Sequence, residues 1–230
     1  MNIAVIIPAL NEEDSLPLVI RDLPRDLIQE IIVVDNGSTD QTPNLARGLG
    51  CRVIDEPQRG YGQACLKGMS SLSERVQIVV FIDGDYSDHA EQLPVVIEPI
   101  VRQGYDLVIG SRLLGQREKG AMTPIAYFGN RLACFLIKKF WGVSYTDLGP
   151  FRAITLEALR KLNMRDGDFG WTIEMQIKAI WYGLKIKEVP VDYRKRRGHS
   201  KISGTLPGIL GASKKILWTI FKYKFAFPNN

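Results

Sequence analysis

The chain has 230 residues, 45% of them hydrophobic, and can therefore bury one substantial core of the ordinary globular α/β class. Its net charge of +5 is a property of the C-terminal tail, where nine Lys or Arg and a single acid follow residue 191. No nucleic-acid motif accompanies them, so phosphate or anionic lipid is the expected partner. The three cysteines lack metal-ligand spacing and the N-terminus is unlike a signal peptide, which argues against a disulfide-bonded secreted protein. No uncharged stretch approaches the roughly 20 residues needed to span a membrane, which argues against an integral membrane protein.

The first half of the chain alternates short apolar strands with helices. The predicted strands are Ile3–Ile7, Ile31–Val34, Cys51–Ile54, Val79–Ile82 and Asp106–Gly110, and the predicted helices between them end near Leu23, Leu49, Leu72 and Gln103. This alternation predicts a mostly parallel, Rossmann-like sheet with helices on both faces. No Gly-x-Gly-x-x-Gly sequence follows the first strand, which argues against a dehydrogenase.

The fourth of these strands ends in two carboxylates, Asp83 and Asp85, one residue apart. Ligands of open α/β sheets bind at the carboxyl ends of the strands, and Gly84 lets both carboxylates approach one point. One or two carboxylates are the usual protein ligands of Mg²⁺, with water and substrate phosphates completing its shell. Polar residues also follow the first two strands, at Asn11, Glu12 and Asp35. Together they predict a nucleotide site with a divalent metal, Mg²⁺ or Mn²⁺, although a turn that only caps the backbone is the simpler alternative for the carboxylate pair.

After Arg112 the alternation lapses. Residues Met122–Trp141 form a predicted helix that is apolar around much of its circumference, and such a helix is either buried or lies in a membrane interface. A further helix is expected from Phe169 to Tyr182, and Val189–Val191 reads as an edge strand because Pro190 cannot donate to a central ladder. The last predicted helix, Leu206–Phe225, combines apolar and cationic residues, which suits adsorption to an anionic membrane surface. Packing in the core or in a homodimer is the alternative for both amphipathic helices.

Several short sequences resemble those of the family-2 glycosyltransferases of the GT-A fold, in the branch of polyprenyl-phosphate sugar synthases such as dolichyl-phosphate mannose or glucose synthase. The matching stretches are residues 7–12 (IPALNE), 33–40 (VVDNGSTD), 83–85 (DGD), 110–112 (GSR), 147–152 (DLGPFR) and 194–201 (RKRRGHSK), and they occur in the order of the family. The resemblance implies one catalytic domain over residues 1–230. Within it, residues 1–112 bind the nucleotide sugar, 113–203 form the acceptor half and 204–230 form the basic C-terminal helix.

The resemblance also assigns roles to individual residues. It implies a metal held by Asp83 and Asp85, and catalytic contributions from Asp85, Asp147 and Arg197, with the segment 194–201 as a mobile basic loop that closes over the donor diphosphate. Glu174 is a candidate because functional acids lie nearby in the family, and Arg152 is available for a phosphate. The residues expected to bind the nucleotide sugar are Pro8, Ala9, Asn11, Glu12, Asp35, Gly37, Ser38, Gly60, Asp83, Gly84, Ser111, Arg112, Arg152, Glu174, Arg194, Ser200 and Lys201.

We therefore expect an inverting enzyme, cytoplasmic and peripheral to the membrane, that moves one hexose from UDP-glucose or GDP-mannose to a polyprenyl phosphate. A phosphate acceptor is already ionised at neutral pH and needs no general base. If the acceptor were a sugar hydroxyl, a base would be needed, and Asp147 is the candidate. A sugar-nucleotide pyrophosphorylase is the rival enzyme class, but no Gly-rich loop with Arg or Lys follows the first strand.

Overall fold

Seven strands form one mixed sheet in the computed structural model, which describes residues 1–198 and 206–226. The strands are β1 (Ile3–Ala9), β2 (Glu30–Asp35), β3 (Arg52–Asp55), β4 (Ile78–Phe81), β5 (Leu107–Ser111), β6 (Arg152–Thr155) and β7 (Ile186–Pro190). Their order across the sheet is β3-β2-β1-β4-β6-β5-β7. Every neighbouring pair is parallel except the two pairs that β6 makes. The prediction of a mostly parallel α/β sheet is therefore confirmed.

Helices cover both faces of the sheet, as predicted. They are α1 (Leu16–Asp22), α2 (Thr42–Gly48), α3 (Tyr61–Ser70), α4 (Leu93–Gln103), α5 (Pro124–Trp141), α6 (Leu156–Leu162), α7 (Trp171–Trp181) and α8 (Leu206–Ala226), with short 3-10 helices at Arg25–Leu27 and Ala90–Gln92. One core lies between the sheet and α1, α2 and α4, and a second lies between the sheet and the other five helices. Because the central strands are buried on both faces, their sequences run as continuous apolar segments.

The sequence analysis missed β6, the antiparallel strand that lies between β4 and β5. In its register, Arg152 stands opposite Phe81 on one side and Ile109 on the other. The strand has only four residues and begins with a charged one, so it lacks the apolar run that identified β1, β2 and β4. Its position joins the first and second halves of the chain in one sheet.

The edge strand and the long helices were predicted from their end signals. β7 lies at the edge of the sheet with Pro190 as its last residue, although it begins three residues before the predicted Val189. Thr123 caps α5 by accepting a hydrogen bond from Ala126 N at 3.2 Å, and Gly142, with φ of 75°, ends it. All three cysteines are buried free thiols.

Candidate active site

The carboxyl ends of β1, β2 and β4 open into a cleft of about 430 Å³. Parallel strands bring the loops that follow them to the same edge of a sheet, so residues distant in sequence meet there. The predicted residues Pro8, Ala9, Glu12, Gly60, Asp83, Gly84 and Asp85 line this cleft, together with Leu10, Asn36, Arg59, Tyr61, Ala64, Asp168, Phe169 and Arg196. The convergence expected from the strand-end motifs is thus present in the structure.

Four other predicted residues order the loops beside the cleft and are not among its lining. The Asp35 carboxylate accepts from Ser38 N at 3.2 and 3.3 Å. Ser38 Oγ in turn accepts from the backbone N–H of Asn11 at 2.9 Å. Gly37 has a φ of 82° and its carbonyl accepts from Arg59, so this turn suits glycine. These contacts fix the β2 turn against the β1 loop.

Asp83 and Asp85 have different surroundings. Asp85 Oδ1 accepts hydrogen bonds from the Ser87 backbone N–H at 2.9 Å and from Ser87 Oγ at 2.5 Å. Asp83 as a whole is half-buried, but its Oδ1 is buried and has no hydrogen-bond partner among residues 1–198 and 206–226. Burial, and then the negative charge of Asp85, raise the pKa of Asp83 from 3.8 to about 7. The two carboxylates therefore disfavour being ionised together unless a further positive charge offsets them.

Arg196, which was not among the predicted site residues, bridges two of the acids in the cleft. Its guanidinium lies 3.3 Å from Asp85 Oδ2 and 3.3 Å from Glu12 Oε1. Its Nε is buried and has no hydrogen-bond partner in the described part of the chain. In sequence, Arg196 is one of five cations in eight residues, and nothing in that pattern distinguishes it from its neighbours.

The predicted residues of the same basic segment have different positions. Arg194 packs on the Tyr86 ring at 3.4 Å from its centroid and pairs with Asp22 at 3.2 Å, so it anchors the segment behind the carboxylate loop. Arg197 donates its backbone N–H to the carbonyl of Asp85 at 2.9 Å, while its side chain is exposed. The predicted residues Ser200 and Lys201 lie outside the described residues.

The carboxylate pair fits a divalent cation. No group of three or more His, Cys, Asp or Glu suited to a metal occurs among the residues described, so the candidate site rests on the pair Asp83 and Asp85, which both line the cleft. A carboxylate whose natural partner is a cation is expected to show what Asp83 shows, namely a buried oxygen without a partner in the described residues and a pKa raised by burial and by the charge of Asp85. Two carboxylates suffice for Mg²⁺ or Mn²⁺ when phosphates complete the shell.

A second cavity, of about 280 Å³, adjoins the cleft between α5, α7 and α8. It shares three lining residues with the cleft, namely Tyr61, Asp83 and Phe169. Its remaining lining is mostly apolar or small and consists of Arg112, Thr123, Ile125, Ala126, Gly129, Asn130, Leu148, Pro150, Thr172, Ser213 and Ile216. The two cavities therefore meet at Asp83, and Arg112 brings positive charge to the second one.

Asp147 holds Arg112 in place and is not positioned to act as a base. Its two carboxylate oxygens accept from Arg112 Nε and Nη2 at 2.8 and 2.7 Å, and Oδ2 also accepts from the Arg112 backbone N–H. Burial alone would raise the pKa of Asp147, but the charge and hydrogen bonds of Arg112 outweigh it and lower the pKa. This geometry argues against a base at Asp147, which stays a prediction for the case of a hydroxyl acceptor. Ser111 is buried beside this pair and bonds Thr146 Oγ1 at 2.7 Å.

Arg152 and Glu174 are also structural, in contrast to their predicted roles. Arg152 is completely buried and donates to the carbonyls of Leu148, Gly149 and Thr172, so its guanidinium is not available to a phosphate. Glu174 is completely buried and lines neither cavity. It accepts from Tyr223 Oη at 2.7 Å and pairs with Lys178 Nζ at 2.6 Å. These contacts tie α8 to α7.

An exposed apolar face lies on the helices that line the second cavity. On α5 the exposed residues follow helical spacing at Ile125, Phe128, Leu132 and Phe135, and on α8 they are Trp218, Phe221 and Phe225. The side chains of Phe128 and Phe225 are 68% and 78% exposed. Phe140 of α5 and Phe221 of α8 lie 5.8 Å apart, so the helices contact each other. None of the helices described is both long and apolar enough to cross a membrane.

Comparisons with known proteins agree on one family. The sequence profile described as glycosyl transferase family 2 matches residues 4–162. A dolichyl-phosphate hexose transferase of Haloferax volcanii is 34% identical over 210 residues, which are 87% of this chain and 86% of that protein. An undecaprenyl-phosphate mannosyltransferase of Micrococcus luteus is 31% identical over 229 residues, 90% of each protein. Glucosyl-3-phosphoglycerate synthase of Mycobacterium tuberculosis, crystallised with Mn²⁺, UDP-glucose and phosphoglyceric acid, is similar in structure with a TM-score of 0.78 and 25% identity, over 100% of this chain and 81% of that one.

Proposed function

The chain belongs to glycosyl transferase family 2 and is a hexosyltransferase of the GT-A fold, and from this premise we propose that it transfers one hexose from a nucleotide sugar to a polyprenyl phosphate. The observation that carries the proposal is the second cavity, which meets the strand-end cleft at Asp83 and is flanked by the exposed apolar face of α5 and α8. A prenyl chain needs such an apolar surface, whereas a small hydrophilic acceptor does not.

The donor is assigned to the strand-end cleft. Its Pro8–Glu12 wall and Asn36 would receive the nucleoside, and the diphosphate would lie beside Asp83 and Asp85. A divalent cation held by these two carboxylates would offset the charge that develops on the leaving diphosphate. Arg196, already in the cleft between Glu12 and Asp85, supplies a further positive charge there. The loop residues Arg197, Ser200 and Lys201 remain predicted contributors to donor binding.

The acceptor phosphate is assigned to Arg112. Asp147 accepts hydrogen bonds from Arg112 Nε and Nη2 and thereby fixes the plane of the guanidinium. Arg112 lines the second cavity, as Asp83 does. A phosphate oxygen of the acceptor attacks the anomeric carbon, and the bond to the donor diphosphate breaks with its electron pair, so the nucleoside diphosphate leaves with inversion. The phosphomonoester is ionised at neutral pH and needs no base. This agrees with the engagement of Asp147 by Arg112.

The exposed apolar face gives the protein a way to reach a membrane-embedded acceptor. The candidate cations along α5 and α8 are Lys138, Lys139, Lys214, Lys215, Lys222 and Lys224. Lys215 already pairs with Asp166 at 3.1 Å, which reduces its share in lipid binding. We infer peripheral attachment in which α5 and α8 lie in the interface, with cations around an apolar centre.

The test is an acceptor comparison. Purified protein is incubated with Mn²⁺ and UDP-glucose or GDP-mannose, and with a polyprenyl phosphate in detergent or with 3-phosphoglycerate, and the products are identified by mass spectrometry. We expect a hexosyl polyprenyl phosphate from one donor and no product after chelation of the metal. Transfer to 3-phosphoglycerate alone would support the second candidate function, a soluble phosphorylated acceptor, which the similarity to glucosyl-3-phosphoglycerate synthase favours.

A further inference from the structure

Tyr61 stands at the junction of the two cavities. It begins α3 and, with Asp83 and Phe169, belongs to the lining of both the cleft and the second cavity. Its ring packs edge-on against Trp171, with centroids 6.2 Å apart, and Trp171 packs in the same way on Phe81 at 4.6 Å. Tyr61 is therefore placed to contact a group that lies between a donor in the cleft and an acceptor in the second cavity.

The backbone around Tyr61 leaves little freedom to the ring. A Cβ atom on Gly60 would lie 2.2 Å from the carbonyl oxygen of Gly167, and one on Gly62 would lie 2.1 Å from that of Asp166. Gln63 N donates to the Gly167 carbonyl at 2.9 Å, which adds a hydrogen bond between the start of α3 and the same segment. The start of α3 is thus held directly against the segment that precedes α7, and Tyr61 is fixed by this packing.

The hydroxyl of Tyr61 is buried without a hydrogen bond of ordinary length and angle to any residue in the described ranges. The hydroxyl does interact with the Asp83 carboxylate and lowers the pKa of that carboxyl against the larger effect of burial, but the two groups do not meet the length and angle of an ordinary hydrogen bond. A buried hydroxyl without a hydrogen-bond partner destabilises the protein, so such groups are rare unless a ligand supplies the bond. Asp83 Oδ1, at the same junction, is also without a partner among these residues.

We propose that Tyr61 binds the hexose of the donor through its hydroxyl and so orients the anomeric carbon towards the second cavity. This assignment rests on the proposed function. The diphosphate lies with Asp83, Asp85 and Arg196, so the sugar attached to it occupies the next space towards the acceptor, which is the junction. A hexose hydroxyl supplies the hydrogen bond that Tyr61 lacks, and the ring of Phe169 covers an apolar face of the sugar.

The experiment separates sugar binding from nucleotide binding. Isothermal titration with Mn²⁺ measures the affinities of UDP and UDP-glucose, and of GDP and GDP-mannose, for the wild type and for Tyr61→Phe. For the pair of ligands that the wild type binds, we expect Tyr61→Phe to keep the affinity for the nucleoside diphosphate. Its affinity for the nucleotide sugar should fall by about 5–10-fold, because one hydrogen bond to the sugar is lost. Wild-type protein that binds none of the four ligands would refute the proposed function and not specifically this residue.

Tyr145→Phe is the matched control. Tyr145 is also buried, lines neither cavity and donates its hydroxyl to the carbonyl of Gln176 at 3.2 Å. We expect this variant to lower the melting temperature without changing the ratio of the two affinities, while Tyr61→Phe changes the ratio and does not lower the melting temperature, because it removes a buried hydroxyl without an ordinary partner. If Tyr61→Phe weakens both ligands equally, or neither, Tyr61 does not bind the hexose.

Discussion

Asp83 and Asp85 are separated by one residue, yet the fold gives them different chemistry. Asp85 has hydrogen bonds from Ser87 and an ion pair with Arg196. Asp83 has burial and a neighbouring negative charge, which raise its pKa to about 7. The difference follows from local position, because Asp83 follows β4 and Ile82 with one oxygen buried and unpartnered in the described residues, whereas Asp85 lies in the turn where Ser87 can donate to it.

Asp83→Asn tests this difference through stability as well as activity. The folded protein with chelator binds more protons at Asp83 than the unfolded chain between about pH 4 and 7, so this carboxyl makes stability fall as pH rises through that range. We expect the free energy of unfolding of the variant to lack this decrease. The difference in stability between the variant and the wild type should therefore grow up to about pH 7 and then stay constant. Transfer should fall by about 100-fold or more because one metal ligand is lost.

Urea unfolding of both proteins at several pH values, with chelator, measures the effect on stability. Asp35→Asn is the control, because Asp35 already accepts two hydrogen bonds from Ser38 N. Parallel curves for the wild type and Asp83→Asn across the whole range would show that Asp83 is not a carboxyl of raised pKa.

At the scale of elements, the segment after β7 brings one cation into the cleft. Arg196→Gln should weaken binding of the nucleoside diphosphate in Mn²⁺ by about 10-fold or more, since a hydrogen bond to a charged group contributes about 1.5–3 kcal/mol. The same variant should bind Mn²⁺ alone more tightly than the wild type, because Asp85 Oδ2 loses its competing partner. Electron paramagnetic resonance of free Mn²⁺ measures the second effect.

Lys195→Gln is the matched control for Arg196→Gln. It removes one charge from the same segment, but the Lys195 side chain is exposed, and it is the backbone N–H of Lys195 that donates to Glu118 at 2.7 Å. If both variants weaken the nucleotide equally, the segment acts through its overall charge and not through the contact of Arg196 with Asp85.

The α7–α8 contact depends on the buried carboxylate of Glu174. Burial alone would raise its pKa, but hydrogen bonds from Lys178, Tyr223 and two backbone N–H groups outweigh this and lower it below 4.5. A lowered pKa contributes stability above pH 4.5 that is lost as pH falls through the folded-state pKa. Glu174→Gln should therefore cost about 2–3 kcal/mol at pH 7, and the difference from wild type should shrink in acid.

The measurement is the urea midpoint of the two proteins from pH 3 to pH 7. Glu157→Gln, on the exposed face of α6, is the control and should change stability by less than about 1 kcal/mol at every pH. If the difference in urea midpoint between Glu174→Gln and the wild type is independent of pH, the ionised form of Glu174 is not what stabilises the α7–α8 contact.

Sequence reasoning located the strand ends but not the partners of buried charges. Asp83 and Asp85 were found because an apolar run stops abruptly at an acid, which is a local signal. The structural contacts of Arg152 and Glu174 could not be predicted, since Arg152 donates to the carbonyl of Thr172 on another element and Glu174 accepts from Tyr223 on α8, and neither contact leaves a mark in the neighbouring sequence. Tyr61 was overlooked for the same reason, because it looks like the first residue of a helix between two glycines. The strand β6 escaped because its pairing depends on β4 and β5 and not on its own pattern.

At the scale of the whole molecule, the exposed apolar face predicts membrane binding. The double variant Phe128→Ser/Phe135→Ser should fold normally, since both side chains are exposed, and should bind anionic vesicles at least about tenfold more weakly, because each phenylalanine loses about 1.5–3 kcal/mol of burial in lipid. Co-sedimentation of the wild type should increase with anionic lipid and decrease with salt, since surface charges are screened over about 8–10 Å.

Val95→Ser/Val101→Ser is the control for that experiment. These two residues are also exposed and apolar, but they lie on α4, which packs on the opposite face of the sheet. Equal losses for both double variants would indicate nonspecific adhesion. If the wild type does not bind anionic vesicles at low salt, the exposed apolar face of α5 and α8 is better explained as a homodimer interface.

The antiparallel strand β6 also has a consequence for how the polypeptide is made. Strand β5 ends at Ser111, but its two neighbours begin only at Arg152 and Ile186, and β4 meets its second neighbour in β6 as well. During synthesis, the edge of β4 that pairs with β6 and both edges of β5 therefore stay unpaired until much of the remaining chain has left the ribosome. Such edges are sites of misassociation, so a shortened chain that stops at residue 112 should aggregate instead of folding as a separate nucleotide-binding unit.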